Sequence, residues 1–132
     1  MPTVARGTFD VKLAPQAQEP GNAESKIAKL TIDKTFRGDL EGRSAGLMLS
    51  AGAPATGSAG YVAMEHVTGT LNGRAGSFAL QHSGTMDRGA QQLTVSVVPG
   101  SGTEQLAGLS GTMRIIIAPD RTHSYELEYS LA

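Results

Sequence analysis

The sequence predicts an all-β domain, a single antiparallel barrel of eight strands with at most one short helical turn near Glu104–Leu109, and three observations carry that prediction. Segments in which apolar and polar residues alternate recur along the chain at the spacing of meander architectures, with turn residues between them. No long stretch holds the 3.6-residue apolar period of an amphipathic helix. Glycine is abundant and evenly spread, 17 of 132 residues, as many turns and close strand crossings require. A sandwich would use the same strands. Closure into a barrel removes the exposed edges, and small inward residues suit the taper of a small barrel, so the barrel is the reading adopted.

Residues 1–132 make one domain, long enough to bury a core without metals or disulfides. A net charge of −1 and 5% aromatic residues give neither the basic footprint nor the stacking surface of a nucleic-acid binder. The longest aliphatic run is Ile115-Ile116-Ile117, far short of a bilayer span, so no membrane partner is expected. Met1 to Leu13 lacks the basic start and apolar run of a signal peptide, and zero cysteines is compatible with the cytoplasm, the expected location. Thiol chemistry and thiolate metal sites are excluded outright.

The elements follow in order. Thr8 to Leu13 alternates, with Phe9, Val11 and Leu13 on one side, as a half-buried strand does. Ala14 to Ser25 is polar and contains prolines, and reads as the longest loop, a mobile one. Ile27 to Phe36 alternates again, with Ala28, Leu30, Ile32, Lys34 and Phe36 in phase. If Arg37-Gly38 is the following turn, Lys34 sits opposite Glu41, Ile32 opposite Arg43 and Leu30 opposite Ala45. That register sends Lys34, Glu41 and Arg43 inward as a rim-closing ion network, and a bulge at Gly42 or Gly46 would reverse the second strand's faces. Ser50 to Ala59 is small and flexible and reads as a loop at the opposite rim.

Tyr61 to Met86 is the strongest hairpin. Asn72-Gly73 suits a type I′ turn, whose two central positions both need positive φ. With those as loop residues, Leu71 faces Arg74, Val67 faces Phe78, Glu65 faces Leu80 and Ala63 faces His82, all on the less polar and therefore interior face. His66 and Gln81 fall on the outer face. Asp87-Arg88-Gly89 turns into a strand carrying Leu93, Val95 and Val97, which Pro99-Gly100-Ser101-Gly102 ends. Ser101 and Glu104 have capping-box spacing, so a helical turn anchored by Leu106 and Leu109 is expected to plug one barrel end. Thr112 to Ala118 is rich in β-branched residues. After Pro119-Asp120, His123, Tyr125, Leu127, Tyr129 and Leu131 alternate strictly with polar residues to the end of the chain.

Three blocks carry a resemblance to a known family: Lys34-Thr35-Phe36-Arg37-Gly38-Asp39-Leu40-Glu41-Gly42, Gly73-Arg74-Ala75-Gly76-Ser77-Phe78-Ala79-Leu80-Gln81-His82, and Val97-Val98-Pro99-Gly100-Ser101-Gly102-Thr103. In these, and over nearly its whole length, the chain resembles an uncharacterised bacterial family with an allene-oxide-cyclase-like β-barrel, classed as a domain of unknown function. The resemblance implies a calycin-like barrel of eight strands that self-associates as a homo-oligomer in a bacterial cytoplasm, with no implied activity or cofactor. Glu104 and Gln105 follow Thr103 where the family has a second glycine and an acid, and its tryptophan near Val95 is missing. A lipocalin is excluded, because its Gly-x-Trp signature cannot occur in a chain without tryptophan.

Glu65 and His82 are the candidate catalytic pair. They lie diagonally across the hairpin at roughly 7 Å between strand positions, and burial would raise the carboxyl towards a useful range for a base. The structural alternative is a hydrogen-bonded pair, or a Glu65 held by Arg74 or by a tyrosine. Tyr61, Tyr125 and Tyr129 line a ligand pocket or fill the core, with Phe78 and His123 on the same interior face. No close-spaced histidine pair suggests a metal. Gly100-Ser101-Gly102-Thr103 lacks the lysine of a P-loop. The residues expected at a small-molecule site are Glu65, His82, Phe78, Tyr61, Tyr125, Tyr129, His123 and Arg74, with binding of a small, partly apolar ligand as the leading function. A cyclase or isomerase using Glu65 and His82, and a solid-core module that assembles with itself, are the alternatives. No cofactor is expected.

Overall fold

In a computed structural model that describes residues 3–15, 27–53 and 57–131, the chain closes into an antiparallel barrel of eight strands. The strands are β1 (Thr3–Pro15), β2 (Ile27–Gly38), β3 (Leu40–Ala53), β4 (Ser58–Leu71), β5 (Arg74–Asp87), β6 (Ala90–Val97), β7 (Leu109–Ile117) and β8 (His123–Leu131). Each pairs with its neighbours in sequence, and β1 pairs with β8 to close the ring. A single 3₁₀ turn, Glu104–Leu106, interrupts the β6–β7 connection. No helix among the described residues is long and apolar enough to cross a membrane.

The β4–β5 hairpin has the register that Asn72-Gly73 dictates: Leu71 opposite Arg74, Val67 opposite Phe78, Glu65 opposite Leu80, Ala63 opposite His82. Asn72 and Gly73 take φ of 48° and 83°, the left-handed values of a type I′ turn. Arg88 and Gly89 repeat the device between β5 and β6, with φ of 52° and 86°.

The β2–β3 register departs from the sequence expectation. β2 runs through Gly38 and the chain bends at Asp39, so Lys34 faces Ser44 and Ile32 faces Gly46. The cause lies on a third strand: the Asp39 carboxylate accepts the Arg6 amide at 2.9 Å, and the Asp39 amide donates to the Arg6 carbonyl at 3.0 Å, tying the bend to β1. The shift is three places, an odd number, and therefore exchanges the two faces of β3. Leu40 and Ser44 are buried while Glu41 and Arg43 are exposed. Of the expected inward ion network only Lys34 is inside, and no bulge is needed to explain it.

Three further expectations change. β1 continues through Ala14 and Pro15, opposite Thr31 and Leu30, and the rest of the expected mobile loop lies outside the described residues. β3 and β4 stay paired as far as Ala53 and Ser58, so most of the expected 50–59 loop is strand, with residues 54–56 outside the described residues. The capping box does not form. Ser101 Oγ instead accepts the Ala79 amide at 3.0 Å, Thr103 Oγ1 that of Ser77 at 3.0 Å, and Gln105 Oε1 that of Ala75 at 2.8 Å. Alternate side chains thus satisfy the edge of β5 where short β6 has ended.

That connection plugs one end of the barrel. Leu40, Leu71, Leu106 and Leu109 are buried there. Tyr125 Oη accepts the Leu40 amide at 2.9 Å and lies 3.0 Å from the Leu40 and Arg37 carbonyls, pinning the β2–β3 bend from inside. Phe9, Phe36 and Tyr125 pack in a row across the middle, the first pair tilted and the second edge-to-face, with successive ring centroids 5.5 and 5.7 Å apart. On the outer face of β3 and β4, the cross-strand pairs Leu47–Met64 and Leu49–Val62 are exposed.

Candidate functional site

The end opposite the plug is hollow. A cavity of about 420 Å³ opens there, within the range of small-molecule sites. Its walls are apolar, with Val11, Ile32, Met48 and Ile115 deeper inside and Leu13, Met86, Leu93 and Ile117 towards the mouth. These wall residues sit at the inward positions of strands that outrun the packed core, so nothing fills the space between them. That explains why Leu13, Leu93 and Ile117 are 47%, 44% and 61% exposed despite correct inward phase.

Polar groups gather at the floor. Lys34 (β2), Glu65 (β4) and His82 (β5) are 5%, 2% and 4% exposed. Lys34 Nζ donates to Glu65 Oε1 at 3.3 Å and lies 3.0 Å from Oε2. It reaches across β3 because the inward residues between the partners are small: Ser44 stands opposite Lys34, and Gly46 opposite Glu65. A side chain at Gly46 would collide with the Met64 carbonyl and with Glu65 itself, so this crossing admits only glycine. The Lys34 ammonium also stands 4.9 Å from the Phe9 ring centroid and 5.8 Å from that of Phe36, which supplies cation–π stabilisation to a buried charge.

His82 Nε2 lies 3.6 Å from Glu65 Oε2, a charge-scale approach too long for a hydrogen bond. Both atoms, and Ser44 Oγ, are buried without a hydrogen-bond partner. The other ring nitrogen, Nδ1, is 3.4 Å from Tyr61 Oη. In the tautomer with its proton on Nε2, on the side of the carboxylate, Nδ1 accepts from the Tyr61 hydroxyl. Tyr61 lies against Gly84, where a Cβ would come within 2.6 Å of the phenol ring.

Electrostatics divide these groups. Burial pushes the Glu65 carboxyl up, but the His82 ring and the Lys34 ammonium more than offset it, and the net direction is below the ordinary carboxylate range. The expectation that burial would raise Glu65 towards a base's range fails for that reason. Burial, and then the charge of Glu65, raise the Tyr61 hydroxyl, which remains a neutral phenol at physiological pH.

The expected site residues separate into three groups. Tyr61, His82 and His123 line the cavity, with the His123 ring 5.2 Å from that of Phe9. Glu65 sits behind the floor and does not line it. Phe78, Tyr125 and Tyr129 belong to the core towards the plugged end, where Tyr129 Oη accepts from Asn72 Nδ2 at 2.6 Å. Arg74 is exposed beside the Asn72-Gly73 turn and holds nothing at the floor. The partner of Glu65 is Lys34, which the sequence placed inside but assigned to Glu41. Its signal was its phase with Ile32 and Phe36. Among the described residues no group of three or more histidines, cysteines or carboxylates is placed to hold a metal.

Residues 5–129 match the family described as "Protein of unknown function (DUF3224)". The crystal structure of a protein of unknown function from the DUF3224 family of Shewanella oneidensis MR-1 is 46% identical, with a TM-score of 0.90 over 100% of this chain and 98% of that one. Among curated proteins none matches. The family and the barrel expected from the sequence are both found, and neither comparison names a cyclase.

Proposed function

The chain belongs to the DUF3224 family of unknown function, and we propose that it is a binding protein that takes one small, predominantly apolar molecule into the open end of the barrel, polar end down. One observation carries this: the cavity of about 420 Å³, with apolar walls and a floor bearing Lys34, His82 and Tyr61. Burying apolar ligand surface contributes about 25 cal/mol per Å², and the few polar groups that line the floor, Lys34, His82 and Tyr61, orient the ligand. A module that only assembled with itself would have no use for this hollow. An acid–base enzyme is the weaker reading, because Glu65 is held ionised behind the floor and is a poor proton acceptor.

The test is titration with N-phenylnaphthylamine, an uncharged dye that brightens in apolar surroundings, against the protein and its Ala59→Phe variant. Ala59 lines the cavity, and a phenyl group there occupies it. Saturable binding of one dye per chain, abolished in the variant while its far-ultraviolet spectrum is unchanged, supports the proposal. Equal binding by both proteins, or none by either, refutes it.

A further inference from the structure

Resting on that binding reading, we infer the chemical class of the ligand's polar end: a neutral carbonyl oxygen, as in a ketone, aldehyde, ester or lactone, accepting a hydrogen bond from Lys34 Nζ. The floor is asymmetric. Lys34 lines the cavity, whereas its partner Glu65 has a fully buried side chain and does not. The ammonium bears three N–H donors, and the two Glu65 oxygens, at 3.3 and 3.0 Å, take up two of them at most, leaving a third for a ligand in the cavity that Lys34 lines. The carboxylate is therefore out of reach while the Lys34 ammonium, the strongest donor at the floor, stays within it, which favours a ligand that supplies an acceptor.

Charge decides which acceptor. Lys34 and Glu65 cancel, so a carboxylate head would add an unmatched negative charge among Phe9, Ile32 and Ile115, with Glu65 close behind. A cationic head would meet the ammonium first. A carbonyl oxygen brings no charge and only accepts, matching the unused donor. The titratable groups facing this point are Lys34 from β2, Tyr61 and Glu65 from β4, His82 from β5 and His123 from β8.

The experiment compares octan-2-one, octanoate and octylammonium as competitors of bound N-phenylnaphthylamine near neutral pH. The ketone should displace the dye more than ~10-fold more effectively than either ion, because each ion must either bury an unpaired charge or neutralise itself to bind. Isotope-edited infrared spectroscopy of carbonyl-labelled octan-2-one should show its band moved to lower wavenumber than in an alkane. The Lys34→Met/Glu65→Gln double variant, which removes both charges together, should return the band to the alkane position. Octanoate or octylammonium binding as tightly as the ketone, or a carbonyl band unmoved from its alkane position, overturns the head-group assignment while dye binding keeps the cavity reading intact. Failure of the dye itself to bind would remove the cavity reading and this inference with it.

Discussion

Replacing Lys34 by Met in this barrel strands a carboxylate. Glu65 is 2% exposed, and the Lys34 ammonium, 3.3 and 3.0 Å from its two oxygens, is the cation that balances it. Breaking a buried ion pair on one side costs about 3–5 kcal/mol, whereas replacing both partners with uncharged residues of similar volume is close to neutral. Lys34→Met should therefore destabilise by about 3 kcal/mol, at the lower end because Glu65 itself can take up a proton in compensation. The Lys34→Met/Glu65→Gln double variant should lie within about 1 kcal/mol of the parent. Urea unfolding followed by circular dichroism reads this directly: with a slope of about 2 kcal/mol/M the single variant's midpoint falls by about 1.5 M at unchanged slope. Two single variants that each cost under about 1 kcal/mol, or a double variant whose loss is the sum of the singles, would refute the claim of a coupled buried pair.

The depressed carboxyl of Glu65 makes stability depend on acid. A group that binds its proton less readily when folded stabilises fully above its unfolded pKa, and the benefit disappears as pH falls through the folded value. Urea midpoints should accordingly drop as the pH falls below about 4.5 in the parent, and the part due to this group should be missing in the double variant, measured in the same buffers. At the plugged end, Asn72→Ala loses both the residue best suited to φ of 48° and the bond to Tyr129, and should cost about 1–2 kcal/mol. Dye binding in that variant should match the parent, because Asn72 lies at the other end of the barrel.

Local signals decided what was legible in the sequence. The Asn72-Gly73 turn fixed the β4–β5 register residue by residue, which put Glu65 and His82 on one inward face and His66 and Gln81 on the other. Strict alternation placed His123, Tyr125, Leu127 and Tyr129 inside correctly. The β2–β3 register was not legible, because its bend is set by hydrogen bonds between Asp39 and Arg6, residues far apart in sequence. That one error gave Lys34 the wrong partner and kept the floor of the cavity from being recognised as an ion pair. Inward phase also said nothing of depth. Tyr125 and Tyr61 both point into the barrel, yet one braces a bend at the plugged end and the other lies beside the cavity floor. Ser101 illustrates a third limit: the capping-box spacing was present, but the bare edge of β5 takes its hydroxyl.

The central claim, an apolar cavity at one barrel end that receives a ligand, is tested most directly by methyl NMR on protein carrying labelled methionine, titrated with N-phenylnaphthylamine. Met48 and Met86 line the cavity, Met64 is exposed on the outer face of β4, and Met113 is buried in the core. The account predicts that the Met48 and Met86 methyl signals shift together and saturably while those of Met64 and Met113 stay in place. Movement of Met64 alone, or no movement of Met48 and Met86 at saturating dye, would contradict it.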